Sequence, residues 1–133
     1  MLQWLGPDYK SKILYNDFRD GKYCSIILTL STMEEKVIPT AVYTVSADGK
    51  FALTLDFSRL YNLCPGYGYY NVPEVTKGIA LPDTTAVWKV DLEKGEVMDL
   101  LKYTDFANFQ PRSEMQKKES VHKVNHLMLC PNG

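Results

Sequence analysis

The chain has no excess of positive charge. Fifteen Lys and Arg stand against sixteen Asp and Glu, a formal net charge of -1. Nucleic-acid binding is driven by neutralising phosphates, so no nucleic-acid partner is expected. No apolar run approaches the roughly 20 residues of a membrane span, and the N-terminus lacks a signal peptide's basic-then-apolar layout. No membrane segment is expected, and the compartment stays open, because a longer parent chain would carry its own signals. Cysteine is scarce. Cys24, Cys64 and Cys130 are odd in number and none forms a Cys-x-x-Cys pair, which argues against a disulfide framework or a zinc knuckle. Cys24 and Cys130 are expected as buried strand thiols and Cys64 as a loop thiol, since a free cysteine behaves as a small hydrophobe. Nothing resembles a phosphate loop, a nucleophile elbow or a spaced catalytic dyad.

What the chain does have is β-strand pattern and turns. At 133 residues, 15.2 kDa and 45% hydrophobic content it is one domain's worth of ordinary globular sequence. In Tyr43-Thr-Val-Ser-Ala-Asp-Gly-Lys-Phe-Ala-Leu-Thr-Leu-Asp-Phe57 an Asp-Gly turn is followed by Phe51, Leu53, Leu55 and Phe57 alternating with Ala52, Thr54 and Asp56. Period two beside Asp-Gly is a strong hairpin signal. Turns of the same kind occur at Gly6-Pro7-Asp8 and at Cys130-Pro131-Asn132-Gly133, so the chain reads as a repeat. Asp8 and Asp48 lie 40 residues apart, about the length of a four-stranded propeller blade.

Strands are expected at Leu2 to Trp4, Ser11 to Asp17, Tyr23 to Ser31 and Glu35 to Ile38, with Asp20-Gly21 turning between the second and third. Apolar residues on both faces of Tyr23 to Ser31 mark it as a doubly covered strand. The second unit resumes at Thr85, where Trp88, Val90 and Leu92 alternate with Lys89 and Asp91, and continues through Val97 to Tyr103. A third unit is expected from His122 through Leu127-Met-Leu129.

The fold class is thus all-β: four-stranded antiparallel meanders forming the blades of a β-propeller. Residues 1–40 are one blade. Residues 41–110 are a second, enlarged by an insertion at 58–84, and 111–133 are a linker loop and the start of a third. A closed ring takes four to eight blades, so the chain is an incomplete propeller fragment, or it buries its open edges by self-association. The alternative is a small complete β-sandwich of eight or nine strands.

Two stretches could carry chemistry. The first insertion crowds Tyr61, Tyr67, Tyr69 and Tyr70 beside Arg59, with Gly66 and Gly68 permitting bends and Pro65, Pro73 and Pro82 stiffening it. Aromatic rings stack on apolar faces while a guanidinium grips an anion, so Arg59, Tyr67 and Tyr69 suit a sugar or carboxylate. The competing reading is a loop whose tyrosines cover a sheet edge. The second stretch is His122-Lys-Val-Asn-His126. On a helix the two histidines would share a face and could chelate a metal. In a strand they would stand roughly 13 Å apart, too far for one ion. A complete metal site would need Gln3, Asn125, an acid or residues from elsewhere. The competing reading is a strand-end histidine bonded to a neighbouring blade. The charged run Pro111 to Ser120 is expected as a solvated loop, with a short helix possible.

The order Leu2-Gln3-Trp4, Tyr15-Asn-Asp-Phe-Arg-Asp-Gly-Lys22, Val45-Ser-Ala-Asp-Gly-Lys50, Leu55-Asp-Phe-Ser-Arg-Leu60, Pro65-Gly-Tyr-Gly-Tyr69, Trp88-Lys-Val-Asp-Leu-Glu-Lys-Gly-Glu96 and His122-x-x-Asn-His-Leu-Met-x-x-Pro-Asn-Gly133 resembles a bacterial group of seven-bladed propellers. That group is related to oligogalacturonate lyases and to the propeller of the Tol system. The resemblance spans essentially the whole chain and implies further blades on either side. It also implies a binder of acidic oligosaccharides that in full-length form cleaves them by β-elimination, with this fragment alone inactive. In such lyases a divalent metal, often manganese, held by histidines and a glutamine, neutralises charge developing on a uronate carboxylate. The resemblance makes His122 or His126 one such ligand, with the rest of the set not visible. It makes Arg59 a carboxylate contact, Asn125 a further substrate contact, and Tyr67 or Tyr69 a ring-stacking or proton-moving group. A non-catalytic interaction propeller that engages a protein or glycan is the alternative.

Overall fold

A computed structural model of the chain describes residues 1–130. It is mostly sheet with little helix. Eight strands form two four-stranded antiparallel sheets in strict chain order, β1-β2-β3-β4 and β5-β6-β7-β8. The strands are β1 Leu2–Trp4, β2 Lys12–Arg19, β3 Lys22–Thr29, β4 Glu34–Ile38, β5 Thr44–Val45, β6 Phe51–Leu55, β7 Thr85–Asp91 and β8 Val97–Lys102. All-β character therefore stands. No helix among the described residues is long and apolar enough to cross a membrane.

The chain divides into two compact units. The first contains Met1–Thr54, Lys89–Met98 and the chain from Leu127 on. Its β2 and β3 pair from Lys12↔Thr29 to Arg19↔Lys22, leaving Asp20-Gly21 as a two-residue loop. Both loop residues have positive φ, 50° and 75°, the primed-turn geometry that matches strand twist. Cys24, Ser25, Ile26 and Ile27 are all buried, as expected of a strand covered on both faces. Leu14, Ile27 and Ile38 of the first sheet share one apolar core with Leu5, Val42, Ala52, Val90 and Leu92.

Polar side chains join the first sheet to the linker that follows it. Asn16 donates from Nδ2 to the Val42 carbonyl at 2.8 Å and accepts from the Val42 N–H at 2.9 Å. Ser25 Oγ lies 2.7 Å from Asn16 Oδ1 and 2.9 Å from the Thr40 carbonyl. The Gly6-Pro7-Asp8 and Ala47-Asp48-Gly49 turns also meet. Tyr9 donates its hydroxyl to the Ala47 carbonyl at 2.7 Å, and a Cβ on Gly49 would stand 2.4 Å from the Gly6 carbonyl oxygen. In each turn an aspartate carboxylate accepts main-chain N–H groups: Asp8 from Lys10 and Ser11, Asp48 from Lys50.

The second unit contains Leu55–Trp88 and Asp99–His126, and here sequence expectations need correction. The strand expected to reach Phe57 stops at Leu55. Asp56 caps a helix, α1 Phe57–Leu63, its carboxylate accepting from the Arg59 N–H at 2.9 Å. The first insertion thus begins as a helix. The stretch after β8 holds α2 Tyr103–Asn108 and a 3-10 turn Ser113–Gln116. No strand starts at His122: residues 121–130 carry none. His126 has a φ of 59°, outside the strand region, and the main chain of His122 bonds to loop groups instead. Cys24 is buried, but Cys130 is exposed and outside any strand. The expected third turn at Pro131-Asn132-Gly133 lies outside the described residues.

Candidate functional site

The second unit is organised around one charged side chain. Arg59 sits on α1 between Phe57 and Leu60, and the helix turns all three inward. Arg59 is only 1% exposed. A cation so buried must be paired and hydrogen-bonded, because leaving it unpaired out of water is prohibitive. It is. Nη1 pairs with Glu74 Oε1 at 2.8 Å, and Nη1 also reaches the carbonyl and hydroxyl of Thr76. Nη2 donates to the carbonyls of Ile79 and Ala80, and Nε donates to the His122 carbonyl at 2.9 Å. Beneath the guanidinium lies the Tyr103 ring, 5.2 Å from ring centre to Cζ.

Glu74 is equally enclosed. Burial alone would raise its pKa, but hydrogen bonds from Asn62, Thr76 and Arg59, with the Arg59 charge, outweigh that and hold it below the ordinary glutamate value. Burial pushes the Tyr103 phenol well above its ordinary value, and the Asp56 charge adds to the effect. Every buried side-chain N or O among the described residues has a partner.

Arg59 was expected as a substrate carboxylate contact; in the structure its N–H groups bond to acceptors within the unit, where it organises the loop. A shallow cleft of about 240 Å3 opens over the pair, walled by Leu63, Ile79 and Val121.

The tyrosines largely pair with other rings of the loop. Tyr69 stacks on Phe57 at 4.6 Å, with its N–H bonded to the Phe57 carbonyl, and Tyr61 meets Tyr70 at 5.6 Å. Tyr69 is therefore part of the loop's own packing. Tyr67 is different: it is half exposed and meets the His126 ring edge-on at 6.3 Å. The structure thus brings together Tyr67 and His126, two candidates distant in sequence. Asn125 accepts from the neighbouring His126 N–H at 2.8 Å. His122 donates its N–H to Ala80 and accepts from Arg59, so its main chain helps close the loop. Gln3, in the first unit, donates to the Tyr43 carbonyl at 3.2 Å.

Among the described residues no group of three or more His, Cys, Asp or Glu side chains could hold a metal ion.

Glu74, Thr76, Asn62 and Tyr103 were not singled out from sequence. They meet around Arg59 from α1, the loop after it and α2, a tertiary meeting that no sequence spacing marks. Comparison of the chain with protein-family models, curated proteins and solved structures gave no match.

Proposed function

We propose that the two sheets are propeller-type blades and that the chain is a non-catalytic interaction module, recruiting another β-sheet along the outer edge of the second. Support for blades comes from the meander order of each sheet and from the contact between the Gly6-Pro7-Asp8 and Ala47-Asp48-Gly49 turns. One observation carries the interaction reading. Strand β8 is an edge strand exposed along its whole length, and Val97, Met98, Leu100 and Leu101 are each at least 40% exposed. An exposed apolar edge strand pairs readily with another strand. One edge strand of the first sheet, β4, carries the charged Glu34, Glu35 and Lys36.

The occupant in isolation is a second copy of the chain. Sedimentation velocity over a range of concentrations is expected to show reversible association, abolished by Leu100→Lys together with Val97→Lys. A monomer at every concentration would remove this reading.

A second reading has its own observation. Tyr67, exposed and edge-on to His126, is a sugar-stacking platform, and it favours an acidic oligosaccharide bound by this loop. Oligogalacturonate titration should quench tyrosine fluorescence in the native protein and not in Tyr67→Ala. Release of an ultraviolet-absorbing unsaturated product would instead establish a lyase.

A further inference from the structure

The second unit contains a second cleft, larger than the one over the Arg59–Glu74 pair and sharing Ala80 with it. It has a volume of about 430 Å3 and opens between the end of α2 and the segment that follows the 3-10 turn. Leu81, Ala107 and Met115 are among its apolar lining residues, and Lys117, Lys118 and His122 line it as well. No Asp or Glu is among the residues that form it.

The cationic residues stand on a fixed main chain. Ser120 donates its N–H to the Lys117 carbonyl at 3.0 Å, closing a turn that carries both lysines. His122 is anchored through its N–H to Ala80 and through its carbonyl to Arg59, each at 2.9 Å. Elsewhere in the unit, Lys102 is paired with Asp83 at 3.1 Å. Lys117 and Lys118 are in no ion pair among the described residues. Two lysines outside any ion pair among the described residues, an imidazole and apolar side chains thus line one cleft that has no carboxylate in its lining.

We propose that this cleft binds a small organic anion, its oxyanion group held by Lys117, Lys118 and His122 and its apolar body lying against Leu81, Ala107 and Met115. Charge-assisted hydrogen bonds fix the anionic end, and apolar contact supplies the rest of the affinity. The site does not depend on the sheet-edge reading, since it lies wholly within the second unit. The chemistry is shared by carboxylates and phosphates.

The test is a two-dimensional amide NMR titration of the full chain with four probes: inorganic phosphate, phenyl phosphate, phenylacetate and benzyl alcohol. Phenyl phosphate or phenylacetate should shift the amides of Ala107, Met115, Lys117, Lys118 and His122 with saturation. Whichever binds tighter identifies the oxyanion. Inorganic phosphate and benzyl alcohol, each carrying half of the recognition, should bind at least about tenfold more weakly. Lys117→Gln with Lys118→Gln should weaken the aromatic anion by about tenfold or more without shifting the melting temperature, as both side chains are exposed and outside any ion pair. Unchanged affinity in that variant would overturn the proposal. So would benzyl alcohol matching phenyl phosphate, or shifts scattered over lysines elsewhere on the surface.

Discussion

The two units are held together by opposite means. In the first, Leu14, Ile27, Ile38, Val42, Ala52 and Val90 close an apolar core between strands whose pairing is regular. In the second, the long loops from Cys64 to Thr84 and from Phe109 to His126 carry little strand. Their centre is a charge, with Arg59 collecting the carbonyls of Thr76, Ile79, Ala80 and His122 as well as the Glu74 carboxylate. Sheets satisfy their own backbone groups, whereas irregular loops must find partners for theirs. One arginine with five donors can serve several carbonyls at once, and the planar guanidinium suits that work better than an ammonium. A polar hub is what a loop-rich unit needs, and an apolar core is what a meander needs.

The sharpest way to break this contrast is to remove the hub. Arg59→Met should cost about 3–5 kcal/mol, because it leaves the buried Glu74 without its counter-charge and several carbonyls unsatisfied. Urea unfolding measures it. Arg59→Lys should rescue little, since an ammonium cannot span the carbonyls from Thr76 to His122. A loss below about 1 kcal/mol for Arg59→Met would mean that the loops are held by something other than the hub. Acid acts on the same pair. Glu74 lies below its ordinary value of 4.5 in the folded state, so its contribution is complete above that value and is lost as pH falls through the lower folded pKa. Glu74→Gln should therefore flatten the acid limb of the stability profile. Acid-unfolding curves that superimpose for native and variant proteins would refute this.

Leu14→Ala attacks the first unit in kind. Leu14 is fully buried at the centre of its core, and its truncation should cost about 2–5 kcal/mol as lost burial plus cavity. Its signature differs from that of Arg59→Met. The Leu14 loss should be nearly independent of pH between 3 and 7, roughly the carboxylate range, while the Arg59 loss should shrink toward acid as Glu74 is protonated. Equal pH dependence in the two variants would erase the distinction between the units.

The same contrast governs how much of the molecule its sequence discloses. All eight strands were legible to within a few residues, because alternation and the Asp-Gly turns at Asp20 and Asp48 are local signals. Helix α1 was not. Leu55 and Phe57 prolong the alternation of β6 in the sequence, and only the capping bond from Asp56 shows that the chain has left the strand. Arg59 was legible as an important residue but its partners were not, because a guanidinium suited to a sugar carboxylate is equally suited to Glu74 and four carbonyls. The meeting of Tyr67 with His126 is tertiary and leaves no trace in spacing. The absent strand at His122 has the same origin, since that main chain is captured by Arg59 and Ala80 from distant segments.

The smallest predicted effect tests whether the first unit's regularity extends to the contact between its turns. Gly21 and Gly49 have nearly the same backbone angle, φ 75° and 71°. A side chain in that region costs about 1–2 kcal/mol on conformational grounds alone. At Gly21 nothing lies within 4 Å of an added Cβ, so Gly21→Ala should show only that cost. At Gly49 the added carbon meets the Gly6 carbonyl oxygen at 2.4 Å, and backbone cannot rotate away as a side chain would. Gly49→Ala should therefore exceed Gly21→Ala in thermal or urea unfolding. If the two are equal, the turn at Gly6 yields freely, and its contact with the hairpin turn contributes nothing to holding the sheets in register.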